Sequence, residues 1–202
     1  MRKKSHISLA WFIMNSEGME TFKEHKKSFY VGSVLPDCIP SFLVRKHTFE
    51  DSFSCLEEEV RKLVSHFDPN KGFGRYECRH LGVITHYVSD YFTFPHNSNY
   101  PGSLKDHCYY EEELKHAFRA YVRKDEVQRK RVADYGLVRE PGEILQFVRD
   151  VHDLYMRIES TVERDCDYIV EVVYAVVDAL IYYLHSLYSG VVFDVSEGVV
   201  YG

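Results

Sequence analysis

With 202 residues, 45% of them hydrophobic, the chain can bury one well-packed core but is short for two, so a single globular domain over residues 1–202 is expected. The formal charge of −6 argues against a dedicated nucleic-acid surface, which carries a basic excess. Five cysteines (Cys38, Cys55, Cys78, Cys108 and Cys166) form no C-x-x-C pair, and their odd number leaves a thiol outside any intrachain disulfide set, as suits a reducing compartment.

The chain opens on Met1-Arg2-Lys3-Lys4 and an apolar run from Ile7 to Met14, which imitates a signal peptide. That run is short and no A-x-A-like cleavage site follows it, so a cytoplasmic location is expected. Between residues 50 and 67, Phe53, Leu56, Val60, Leu63, Val64 and Phe67 recur at three- and four-residue intervals, the pattern of an amphipathic helix. Two more helices are predicted over 79–93 and 105–122, joined by the loop Asn97 to Ser103. Pro95 stops the first of them just after Phe94 and leaves His96 at the turn.

The stretch Arg123 to Arg131 mixes acids among its bases and reads as a solvated helix face. Pro141-Gly142-Glu143 opens a helix running to about residue 163. Tyr168 to Tyr188 is apolar enough to suggest a membrane span, but Glu171, Asp178 and His185 lay a polar stripe along it, and acids at membrane depth are costly. No transmembrane segment is expected; the stretch reads as a core helix, its stripe facing solvent or supporting a polar site. Gly190 to Val195 has the composition of a short extended segment. The fold class expected is all-α, a compact multi-helix domain.

Chemistry concentrates between residues 86 and 111. His86/Asp90 and His107/Glu111 are each spaced i, i+4, which on a helix turns both side chains toward a common ion, and His96 lies between the pairs. Eleven histidines and 31 acids in this length give about two such pairs by chance. His47/Asp51 is a third pair, of the kind that also arises between solvated helix neighbours. The setting separates the other two: His86 and Asp90 sit in an otherwise apolar and aromatic segment, where buried polar groups need partners. Together they read as a multinuclear metal site.

The ordered set His86, Asp90, His96, His107 and Glu111 resembles the zinc-dependent phospholipase C family, whose fold is shared with single-strand-specific zinc nucleases. Gly32-Ser33-Val34-Leu35-Pro36-Asp37 followed by Arg45-Lys46-His47 is similar to the family's Asp-then-His pair, and His6 fits its early histidine. The resemblance implies one zinc on Asp37, His47, His86 and Asp90, and a second on His96, His107 and Glu111. It implies a third shared by Asp90 with His6, so that two or three ions are expected. Secreted members complete that third site with an N-terminal tryptophan, whereas Trp11 here is internal and follows His6.

The function implied is hydrolysis of a phospholipid or other phosphodiester by zinc-activated water, with Asp37 as the catalytic residue that orients or deprotonates it. Tyr87, Tyr91, Phe92 and Phe94 are candidates for a substrate wall as well as for core. Alternatives are a nuclease of the same fold, a non-catalytic protein whose zinc cluster only holds helices together, and an HD-type phosphohydrolase suggested by the doublet His152-Asp153.

Overall fold

The structure is a computed structural model that describes residues 1–16, 18–38, 48–124, 127 and 140–189. Its α-helices are α1 (Lys3–Met14), α2 (Lys26–Val34), α3 (Phe49–His66), α4 (Arg75–Tyr91), α5 (Leu104–Tyr121), α6 (Pro141–Tyr155) and α7 (Val162–Ser189). Short 3-10 turns at Glu20–His25 and Phe94–His96 join some of them, and no strand occurs among the described residues. The protein is all-α. His47, most of the Arg123 to Arg131 stretch and the segment Gly190 to Val195 lie outside the described residues.

α4 is the centre of the bundle. From His80 to Tyr91 every one of its residues is buried, because α1, α2, α3 and α7 all pack against it. A helix apolar all round is stable only when enclosed in this way. Leu81, Ile84 and Val88, all fully buried, each contribute on the order of 2 kcal/mol by leaving water, which offsets the cost of the polar groups the same helix buries. α4 starts four residues before the predicted position. The cause is local: Glu77 Oε2 accepts the Gly74 N–H at 2.7 Å, closing a first turn that apolar spacing alone does not mark.

α2 meets α4 more closely than side chains normally allow. A Cβ on Gly32 would overlap the Arg79 carbonyl, and one on Gly82 would overlap the Phe29 carbonyl. Two facing glycines let the backbones touch, and that approach brings the end of α2 against the polar part of α4.

The helix expected from Pro141 to about 163 is two elements. α6 ends at Tyr155, where the bonds Met156 N–H to His152 O and Ile158 N–H to Tyr155 O close its last turn. Thr161 then starts α7, its Oγ1 accepting the Arg164 N–H at 3.2 Å. α7 is the helix expected to be core: within Val162–Leu187 an 18-residue stretch has mean hydropathy 1.5, long and apolar enough to cross a membrane, and 72% of that stretch is buried inside the protein. Its stripe of Glu171, Asp178 and His185 lies toward solvent, with Glu171 and His185 exposed.

Candidate metal centre

Three helices and one turn bring polar groups together at the buried end of α4. His6 comes from the inner face of α1, which it shares with Leu9, Ala10 and Ile13. His86 and Asp90 come from α4, His96 from the 3-10 turn after it, and His107 and Glu111 from α5. Pro95 occupies the second position of that turn, where a missing N–H costs nothing, and so holds His96 facing back toward Asp90.

These groups form two neighbouring clusters. The first is His6, His86 and Asp90, all fully enclosed, with ligand atoms within 4.8 Å of one another; His96, His107 and Glu111 make a second on the same criterion, partly open to solvent. Asp90 lies between them: Oδ1 is 3.4 Å from His6 Nε2, and Oδ2 is 3.2 Å from His86 Nε2 and 3.8 Å from His96 Nδ1. Glu111 Oε1 stands 3.1 Å from His96 Nε2 and 3.4 Å from His107 Nε2. Asp37, just beyond α2, reaches the edge of the first cluster, with Oδ1 3.9 Å from His86 Nε2.

The hydrogen bonds around the imidazoles decide which nitrogen faces inward. His86 Nδ1 is 3.0 Å from the Ser33 carbonyl, an acceptor only, so Nδ1 carries the proton and Nε2 presents its lone pair to the cluster. Ser89 Oγ donates to the His86 carbonyl at 2.8 Å, which leaves its oxygen to accept from His6 Nδ1 at 3.2 Å. His6 Nε2 is thereby also a bare lone pair, yet it is buried with no hydrogen-bond partner. Asp90 Oδ1 is 3.4 Å away, but the contact lacks hydrogen-bond geometry. A buried nitrogen left in this state is costly unless a cation completes it. The donor set, imidazole nitrogens with carboxylate oxygens, is the one zinc takes.

A positive charge already lies in this space. The α-ammonium of Met1 sits 2.5 Å from Asp90 Oδ1, 3.4 Å from Glu111 Oε1 and 2.9 Å from His96 Nε2, standing in for a cation between the two carboxylates. Burial disfavours its charge, but Asp90 and Glu111 outweigh that and raise its pKa. Asp90, whose burial would favour the protonated form, is instead held well below the usual carboxylate range by this ammonium and the three imidazoles. Burial and the neighbouring His86 push His6 down to about 3, so it is neutral and a competent ligand at pH 7. The amine was not foreseeable from motif spacing, since only the folded course of α1 carries residue 1 to this point.

A carboxylate remote in sequence braces the arrangement. Asp165, on α7, accepts the Phe94 N–H at 2.9 Å, the Tyr110 hydroxyl at 2.9 Å and the Tyr155 hydroxyl at 2.8 Å. It ties the turn that carries His96 to the helix that carries Glu111. His152 acts on the same turn: Nε2 lies 2.8 Å from Asn97 Oδ1, while the Asn97 amide donates to the Tyr91 and Thr93 carbonyls at 3.1 Å. His152 is buried and stacks on Phe49, whereas Asp153 is exposed, so the doublet that suggested the HD-type alternative splits between core and surface.

Of the predicted ligands, the structure groups His6, His86 and Asp90, groups His96, His107 and Glu111, and sets Asp37 beside His86. Asp51 has another task, its N–H bonding Thr48 Oγ1 and its carboxylate taking the Thr48 hydroxyl at the start of α3. Tyr87, Tyr91 and Phe92 are core and not a substrate wall; Phe94 is half-buried against Tyr100 and Tyr110. Cys38 and Cys108 lie at the surface, and all five cysteines are free.

The family model described as zinc dependent phospholipase C matches residues 5–162. The chain belongs to the zinc-dependent phospholipase C family. No curated protein and no solved structure matches it. Family membership makes zinc the metal to weigh against the His/Asp/Glu clusters, and in this phospholipase C-like chain the matched region takes in both of them together with the brace from His152. Asp165 lies just beyond it.

Proposed function

We propose that the chain is a phospholipase C-like hydrolase that cleaves a phosphodiester, a phospholipid in the first instance, at a multinuclear zinc centre. His6, His86 and Asp90, with Asp37 at their edge and His47 added as a ligand, hold one part of that centre; His96, His107 and Glu111 hold the other. Bound zinc supplies the positive charge that activates water near neutral pH and offsets the charge on phosphoryl oxygens.

The chain's own residues divide the remaining work. Asp90, enclosed between imidazoles of both clusters, fixes their separation and stays ionised. Asp37 is 19% exposed, against 0% for Asp90, so it is the acid beside His86 that can orient water arriving from solvent and take its proton. His107 at 28% and Glu111 at 14% leave the second cluster open on the solvent side, where a phosphodiester can enter. This openness favours catalysis over a cluster that only joins helices, since structural zinc sites are closed.

The observation that carries the reading is the buried, unbonded His6 Nε2 converging with His86 Nε2 on Asp90. A chromogenic phosphodiester and a short-chain phosphatidylcholine, given to the zinc-loaded protein and to Asp37→Ala, test it. Hydrolysis is expected to rise with pH to a plateau above about 7 and to fall at least 100-fold in the variant. Equal rates for the two proteins at full zinc occupancy would move the assignment to a structural cluster.

A further inference from the structure

The outer face of α1 meets α5 in a second cleft, directed away from the metal centre. Helical spacing places His6, Leu9, Ala10 and Ile13 inside, and so places Lys4, Ile7, Ser8 and Trp11 outside. Opposite them stand Lys115, Arg119, Val122 and Arg123, with Tyr30 of α2 alongside, around a cavity of about 410 Å³. That size lies within the range of small-molecule pockets.

Its lining is divided. Ile7 and Trp11, 44% and 40% exposed, form an apolar floor left in contact with water, and Val122 lies buried beside them. Lys115 and His116 are occupied by Glu112. Lys4, Arg119 and Arg123 make no ion pair with any described residue, although the chain as a whole carries −6. An ordinary solvated face of charges is convex and lacks an apolar floor. A concave site that exposes a tryptophan and an isoleucine beneath three open cations is complementary to a molecule with an apolar chain and an anionic head.

We propose that this cleft binds a single-chain amphiphile with a phosphate headgroup, the chain lying on Ile7 and Trp11 and the phosphate among Lys4, Arg119 and Arg123. Arginine suits the headgroup because its planar donors match phosphate oxygens in pairs. The site is separate from the metal centre and does not depend on the hydrolase reading.

Trp11 is the sole tryptophan, so emission excited at 295 nm reports on this cleft alone. Monododecyl phosphate, titrated below its micelle concentration into the zinc-loaded full chain, is expected to give a saturable blue shift with 1:1 stoichiometry by calorimetry. Arg119→Glu/Arg123→Glu, both exposed positions, should weaken it at least tenfold with zinc content unchanged, which distinguishes the cleft from phosphate binding at the metals. Trp11→Phe should lose the optical signal and keep the calorimetric one. Inorganic phosphate and the neutral dodecyl maltoside should each bind at least tenfold more weakly. No saturable change, equal binding by the double variant, or equal binding of either control ligand would overturn the proposal.

Discussion

Asp90 and Asp51 each follow a histidine by four residues, and their surroundings give them opposite roles. Asp90 is enclosed between His6, His86 and His96, while Asp51 bonds Thr48, the residue that caps α3. Asp90→Asn is therefore expected to remove at least half of the bound zinc, and Asp51→Asn to leave zinc unchanged, with the cap kept because Thr48 accepts the backbone N–H of residue 51. Elemental analysis of both variants checks this, and equal zinc contents would contradict it. Asp165 gives a prediction in pH. Burial raises its pKa to about 6, against the bonds from Phe94, Tyr155 and Tyr110 that favour its charge. Below about pH 4 the group is protonated in both folded and unfolded chains; between pH 4 and 6 the unfolded chain ionises first, so stability falls as pH rises, by up to about 3 kcal/mol. Urea unfolding at pH 4 and pH 7 should show this loss in the native protein and a smaller one in Asp165→Asn; the same difference in both would contradict the assignment. His86, Asp90, His107 and Glu111 were legible because a helix converts sequence spacing into a shared face. Asp165, the Ser33 carbonyl and the Met1 amine were not, because they arrive through tertiary packing that no local pattern encodes.

The helices carrying the ligands are set by how closely α2 and α4 approach. Gly32 and Gly82 face each other there, and the contact holds the Ser33 carbonyl on His86 Nδ1. Gly82→Ala should push α2 outward, costing about 1–3 kcal/mol as overpacking does, and should weaken zinc binding by freeing the His86 ring. A thermal melt and a competitive zinc titration check the two effects separately; a stable variant with unchanged zinc affinity would show the close approach to be incidental. Apolar periodicity located α3 and α5 to within a residue or so, since each presents one buried face and carries a side-chain cap from Thr48 or Ser103. It misplaced the start of α4 and the end of α6. Those boundaries depend on Glu77 reaching back to Gly74 and on Thr161 starting a new helix, single polar bonds that hydrophobic spacing does not register.

Across the molecule, α1, α4, α5 and the turn at His96 converge on one charged centre, so metal and fold are linked. Zinc at about 100 times its Kd adds about 2.7 kcal/mol to folding, and for a chain of this length that corresponds to roughly 5–10 °C in Tm. Chelation should lower Tm by at least that amount. The all-α architecture was legible because α3, α5 and α7 are long and strongly patterned; the pairing of α1 with α5 was not, since it joins segments about a hundred residues apart. The most direct test of the metal centre is the zinc content of the protein purified without chelator. Two or three ions per chain are expected, whereas less than half an equivalent, under conditions that do not strip zinc, would contradict the account.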